Sequence, residues 1–281
     1  MIRILVLLIA FSVLLYPTVS NYLYEKNSSK VISTYDEEAV KMSQKEKEQL
    51  LAEARAYNEA MLGNIELLDP FSTAEKKVNE RYEHILNIDG AGMMGYIRIP
   101  AIEVDLPIYH GTSEPVLQVG VGHFEGTSLP VGGISTHTVL TGHRGLPSKK
   151  LFTDLDELKK GDVFYIKVAG ETMAYEVDQI LTVLPEETEA LSIVPGQDYA
   201  TLVTCTPYAI NTHRMLVRGH RIPYEEAVVK AADKVQEPKI PFEVKVLLVA
   251  VAVIIGIVVG VKIYAKKQKK KRRRGRKHVR K

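Results

Sequence analysis

The chain holds one cysteine, Cys205, near the C-terminal end of the strand-like run Thr201-Leu202-Val203-Thr204-Cys205-Thr206, just ahead of Pro207. A strand end exposes a side chain while the backbone stays rigid, which suits a nucleophile. Arg214 opens the next strand-like run, so hairpin pairing would bring thiol and guanidinium to the same end of a sheet. There the guanidinium has two available tasks: lowering the thiol pKa and donating hydrogen bonds to a developing oxyanion. An arginine at a solvated loop end is the plainer account of the residue taken alone. His143 closes a third strand-like run, in Thr141-Gly142-His143-Arg144-Gly145, where glycines allow backbone and ligand to approach closely. An imidazole beside a thiol acts as base, or forms a thiolate–imidazolium pair that later protonates a leaving amine. Seven other histidines are present, so composition does not select His143. His137 reads as a mid-strand structural residue, His213 as a neighbour supporting Arg214, and His110, His123 and His220 as barrel or loop residues. No HExxH or comparable ligand spacing occurs, so the sequence calls for no metal and no other cofactor.

These residues need a rigid frame, and the patterning predicts a mainly β one. Tyr96–Ile99, Val104–Tyr109, Thr136–Thr141, Val163–Val168, Met173–Val177, Thr201–Thr206 and Arg214–His220 read as strands separated by turn residues, with a hairpin signal at Ala169-Gly170-Glu171-Thr172. Short strands at close spacing suggest a closed or nearly closed barrel of about eight strands. Ser43-Gln44-Lys45-Glu46 forms a capping box ahead of an amphipathic helix that Gly63 would stop, and a second short helix is expected over Ala74–Leu86. Within the β region only Phe152–Lys160 looks helical, and weakly.

Two apolar runs frame this body. Residues 4–16 are nearly pure hydrocarbon, and the run continues to Tyr24; the second, Val246–Val261, is flanked by Lys245 and Lys262. Each is long enough to cross a bilayer core, the first being either a retained anchor or a cleaved signal peptide. Residues 266–281 carry twelve Lys and Arg and no acid. Removing those twelve from the 37 in the chain leaves 25 against 34 acids, so the remainder carries a net charge of −9. A basic tail beside a membrane span points to anionic lipid headgroups as its partner, not nucleic acid, and sets the C-terminus in the cytoplasm; Arg3 sets the N-terminus there too if the first run is retained, with residues 25–243 outside the cell membrane. The expected organisation is a membrane segment over 1–24, a linker over 25–42, a helical region over 43–90 and a β-barrel over 91–225. A linker over 226–243, a transmembrane helix over 244–264 and the basic tail over 265–281 complete it. A lone thiol outside the cell cannot form an internal disulfide, so it is either an inert buried residue or a reactive group.

Five motifs in order carry a resemblance: Gly126-Thr127-Ser128-Leu129-Pro130, Ser135-Thr136-His137, Thr141 to Pro147, Thr201 to Pro207, and Asn211-Thr212-His213-Arg214. Over roughly residues 40–225 the chain resembles the sortase family, and more narrowly the class C, pilus-assembling sortases of Gram-positive bacteria. The resemblance implies a cysteine transpeptidase that cuts an LPxTG-type sorting signal between Thr and Gly and holds the Thr carbonyl as a thioester. It then passes that carbonyl to a lysine of another pilin subunit. Carried over by motif, Cys205 matches the nucleophile, His143 the general acid/base and Arg214 the oxyanion-stabilising residue; Arg144, Arg218 and Arg221 do not hold the family position. Asp69-Pro70-Phe71 reads by itself as a surface turn. By resemblance it matches a lid, with Asp69 towards the site and Phe71 over the thiol. Other readings are a wall-anchoring sortase, a hydrolytic cysteine peptidase, disfavoured because the histidine precedes the cysteine, and a β-barrel binding module with an incidental thiol.

Overall fold

In the computed structural model, residues 2–61, 69–72, 79–88 and 90–233 are described, together with isolated positions near the C-terminus, although the side chains of 2–8 and 10 are not. The elements run α1 (Ile2–Lys41), α2 (Gln44–Ala60), α3 (Glu80–His84), β1 (Met93–Ile99), β2 (Val104–His110), α4 (Glu114–Leu117), β3 (Val121–His123) and β4 (Thr136–Thr141). β5 (Val163–Val168), β6 (Glu171–Val183), β7 (Asp198–Thr206), β8 (His213–Ile222) and α5 (Tyr224–Asp233) follow. The strands close into one barrel in the order β1-β2-β3-β4-β7-β8-β6-β5. β2–β3 and β4–β7 pair in parallel, and the other neighbours pair antiparallel. Closure removes the unpaired edges that an open sheet of these strands would expose. Ile97, Ile99, Ile108, Leu140, Phe164, Ile166, Leu202 and Val217 lie fully buried in its interior cluster.

The N-terminal helices pack on this barrel. The capping box forms as the sequence predicts: Ser43 Oγ accepts from the Glu46 N–H, and the Glu46 carboxylate accepts from the Ser43 N–H. Leu51, Ala54, Tyr57 and Asn58 make the buried face of α2. Asn58 fixes the helix by accepting from Leu129 N–H at 2.7 Å and donating to the Leu129 carbonyl at 3.2 Å. The helix ends on Met61, and Gly63 lies outside the described residues.

The structure departs from the expected organisation in several places. The linker expected over 25–42 is the second half of α1. Its buried positions Ser28, Ile32, Tyr35 and Ala39 recur every three or four residues, a helical stripe whose mixed chemistry hides the period from an apolar count. Tyr35 donates to the Met94 carbonyl at 2.8 Å and accepts from the Ala169 N–H at 3.0 Å, joining α1 to β1 and to the β5–β6 turn. Likewise, the linker expected from 226 begins as α5, whose Ala227 is fully buried beside Val163, Ala174 and Ile222. The helix expected over Ala74–Leu86 is described only as α3, with 73–78 outside the described residues. Phe152–Lys160 holds no α-helix, only a 3-10 turn at Leu155–Glu157. β3 is three residues long, too short to show alternation, and the sequence reading omits it.

Among the described residues no helix is long and apolar enough to cross a membrane. The first expected span falls within α1, part of whose side chains are not described; the second, 244–264, lies almost wholly outside the described residues.

Candidate active site

β7 and β8 pair so that Cys205 stands directly opposite Arg214. Side chains of directly opposed residues project from the same face of a sheet, so thiol and guanidinium share one rim of the barrel. Arg218, opposite Thr201, lies four residues further along β8, about 13 Å away at strand rise. It is held by Asp178 at 3.0 Å, as Arg144 is held by Asp156, and Arg221 lies 4.0 Å from Asp198. The register therefore singles out Arg214 among the candidate arginines.

His143 reaches the same rim through the parallel β4–β7 pair. Thr141 is level with Val203, and the ladder runs one step beyond the strand because Gly142 N–H donates to the Val203 carbonyl at 3.0 Å. Thr204 Oγ1 donates back to the Gly142 carbonyl at 2.8 Å. Continuing this register by two residues sets His143 level with Cys205 and on its side of the sheet, because strand side chains alternate with period two. Glycine is required at 142: a Cβ there would lie 2.7 Å from Phe152 Cδ2. Phe152 N–H in turn donates to the His143 carbonyl at 3.1 Å, fixing the backbone that carries the imidazole.

Glu114, at the start of α4, lies 3.2 Å from His143 Nε2. A carboxylate only accepts, so this contact places a proton on Nε2 and leaves Nδ1 as acceptor in the neutral ring or second donor in the imidazolium. The Gln118 amide, and then His143, hold the Glu114 carboxyl below its ordinary range. No motif in the sequence marks Glu114, because its link to His143 arises from the fold alone.

Asp69 and Phe71 cover this rim. Asp69 accepts from Arg214 Nε at 2.8 Å and Nη2 at 2.6 Å, while the remaining Nη1 donates to the carbonyls of Asn211 and His213. The triplet is a tight turn in which Phe71 N–H donates to Asp69 Oδ1 at 3.3 Å and Ser72 N–H to the Asp69 carbonyl at 2.9 Å. The Phe71 ring centroid is 5.8 Å from that of His143 and 5.0 Å from Arg214 Cζ. The same ring packs against the apolar cluster of Phe124, Val139, Leu191, Val203 and Leu216. The expected surface turn is thus partly buried, and its acid is spent on the arginine opposite the cysteine.

The thiol itself is half-buried. Burial pushes its pKa up, the nearby Arg214 pulls it down, and Asp69 pushes it up again. A thiol facing an arginine that is already paired with a carboxylate is held in its neutral form more than one facing the arginine alone.

Three of the other described histidines, His137, His123 and His110, are buried and held by hydrogen bonds. His137 is buried between the Ser192 carbonyl at 2.8 Å and Thr201 Oγ1 at 2.7 Å, and burial lowers its pKa to about 4. His123 is fully buried, with Tyr82 on Nδ1 and the Ser128 carbonyl on Nε2. His110 is buried between the carbonyls of Gly92 and Ile85. His213 contacts Thr212 Oγ1 at 2.9 Å at the mouth of the β7–β8 loop. Among the described residues no group of three or more His, Cys, Asp or Glu side chains is arranged to hold a metal ion.

A thiol, an imidazole and a guanidinium on one rim of a closed eight-stranded barrel define a cysteine acyl-transfer class of enzyme. Residues 97–222 match the Sortase domain family. Sortase C of Streptococcus pneumoniae is 51% identical, with a TM-score of 0.65 over 69% of this chain and 97% of that one. Sortase C1 of Streptococcus agalactiae is 48% identical, with a TM-score of 0.66 over 72% of this chain and all of that one. Sortase A of Streptococcus agalactiae serotype III (strain NEM316) is 33% identical over 152 residues, 50% of this chain and 60% of that protein's length. The chain belongs to the sortase family, a family of cysteine transpeptidases. Its half-identical structural neighbours place it with the class C sortases.

Proposed function

We propose that this chain is the transpeptidase that polymerises pilin subunits, with Cys205 as nucleophile, His143 as general acid/base and Arg214 as oxyanion donor. The Cys205 thiolate attacks the Thr carbonyl of the Thr–Gly bond in an LPxTG-type sorting signal. The carbonyl electron pair moves onto oxygen, where the Arg214 fork donates hydrogen bonds to it. Collapse breaks the C–N bond, and His143 delivers its proton to the departing glycine amine. The thioester so formed keeps its acyl energy while remaining open to an amine. A lysine of a second pilin then attacks, His143 removes its proton, and the thiolate leaves, closing a Thr–Lys isopeptide bond. The observation that carries this reading is the cross-strand pairing of Cys205 with Arg214.

Asp69-Pro70-Phe71 acts as a lid in this reading, since it occupies the arginine and covers the rim that substrate must reach. The apolar runs at 1–24 and 244–264 serve as membrane anchors, the catalytic barrel faces the outside of the cell, and the basic tail meets anionic lipid. The test is mass spectrometry of the full-length protein incubated with pilins bearing sorting signals. A Thr–Lys isopeptide bond that disappears in Cys205→Ala supports the reading; hydrolysed sorting signal without any isopeptide, in the presence of acceptor lysine, overturns it.

A further inference from the structure

We propose that Arg144 is a positioning residue that locks the His143 loop to the end of the strand carrying Cys205, an assignment that rests on the transpeptidase reading above. Arg144 directly follows His143, and Thr206 directly follows Cys205. The Arg144 side chain is 9% exposed, and its guanidinium bridges two acceptors: Nη2 meets the Asp156 carboxylate, and Nη1 donates to Thr206 Oγ1 at 3.4 Å. Its Cζ also lies 5.9 Å from the ring centroid of Tyr208, two residues beyond Thr206.

Three segments therefore meet on one guanidinium. The 142–145 loop carries the imidazole, and residues 206–208 are the last residue of the thiol's strand and the start of the turn that follows it. The third, around 152–157, is tied to the first by Phe152 N–H on the His143 carbonyl and by Gly145 N–H on Thr153 Oγ1 at 3.2 Å. The loop also presses on the tyrosine: Gly145 has φ +79°, and a Cβ there would lie 3.0 Å from Tyr208 Cε2. A side chain at 145 is thus strained by the backbone and must push the Tyr208 ring aside, where loop and strand end approach.

The role of Arg144 is geometric. Its charge is met by Asp156, and the thiol answers chiefly to burial, Arg214 and Asp69. A planar fork reaches a carboxylate and a hydroxyl together in fixed directions, which a lysine ammonium does not. The Arg144 Nε is buried without a hydrogen-bond partner. Such an unmet donor is a cost that folds tolerate where a side chain is held for another reason.

The experiment uses full-length protein carrying Asp69→Ala, so that lid opening does not limit the rate, with an LPxTG-type peptide and a lysine-amide acceptor. Arg144→Ala is expected to lower kcat by roughly 10- to 100-fold, the scale of a small misplacement of reacting groups. KM should stay within about twofold and the pH midpoint of Cys205 alkylation should not move, because neither substrate contact nor thiol electrostatics is altered. Arg144→Lys should recover only part of the loss, and Asp156→Asn and Thr206→Val should each lower kcat by less than Arg144→Ala. Parental kcat in Arg144→Ala, full rescue by lysine, or a shifted alkylation midpoint overturns the proposal. If Arg144→Ala fails to fold, the two milder variants decide: parental kcat in both, at unchanged Tm, overturns it equally. Absence of any thioester adduct on Cys205 in the parent overturns the transpeptidase reading itself and this proposal with it.

Discussion

Asp69 holds Arg214 by both carboxylate oxygens, at 2.8 Å to Nε and 2.6 Å to Nη2, on the residue paired across the sheet with Cys205. Two of the three guanidinium nitrogens are turned to the acid and the third to backbone carbonyls. In the proposed mechanism an oxyanion at Cys205 must therefore displace Asp69 to gain the arginine. Charge-assisted hydrogen bonds of this kind contribute about 1.5–3 kcal/mol. Asp69→Ala should accordingly raise the rate of Cys205 alkylation and of thioester formation by about tenfold or more, at about 1.4 kcal/mol per decade. Rates equal to wild type in both assays would remove the lid from the account.

Phe71 contributes differently. Arg214 Cζ lies over its ring, 5.0 Å from the centroid, and the ring rests on the Phe124–Leu216 cluster without a charge of its own. A cation–π contact is worth roughly 0.5–2 kcal/mol, so Phe71→Ala should open the site less than Asp69→Ala, by a few-fold to about tenfold. Because Phe71 is only partly buried and lies outside the barrel interior, its loss should leave Tm nearly unchanged. A large fall in Tm would show that the ring supports the fold instead of covering the thiol.

The legibility of this molecule follows the range of the interactions. Seven of the eight barrel strands are legible as short runs set off by turn residues, β3 being too short, and the Cys205–Arg214 relation follows from two such strands and a short loop. Residues 25–42 read as a linker although α1 runs to Lys41, because its buried stripe, Ser28-Ile32-Tyr35-Ala39, is recognisable only against the surface it meets. Glu114 and Asp156 were missed for a related reason. They lie 29 and 12 residues from the side chains they hold, and carboxylates on short turns carry no signal of their own. The motif resemblance sets Asp69 towards the site where the sequence alone reads a turn, and the pairing with Arg214 is legible only in the fold.

Tyr35 offers a test of how firmly α1 belongs to the barrel. It is fully buried, donates to Met94 and accepts from Ala169. Tyr35→Phe keeps the ring but leaves a buried carbonyl and a buried N–H without their partner, each costing about 1–3 kcal/mol. Chemical denaturation should show a loss of roughly 2 kcal/mol or more, with the m-value unchanged if the helix remains docked. A neutral substitution would mean that α1 rests on the barrel without being fixed by this residue.

The pH dependence of the thiol follows from burial and from the Asp69–Arg214 pair beside it. Burial and Asp69 raise the Cys205 pKa, whereas Arg214 lowers it. In Asp69→Ala one raising influence disappears, the freed guanidinium faces the thiol, and solvent reaches it; all three favour the thiolate. The midpoint of alkylation against pH should therefore move to lower pH in Asp69→Ala. In Arg214→Ala it should move to higher pH, because burial remains and Asp69, unpaired, still opposes ionisation. Combining the two substitutions separates direct from relayed effects. If Asp69 acts mainly by occupying Arg214, removing it in the Arg214→Ala background should lower the midpoint by less than it does in wild type. Equal shifts in both backgrounds would mean that the acid acts on the thiol through its own charge, and that the arginine is no part of the closing device.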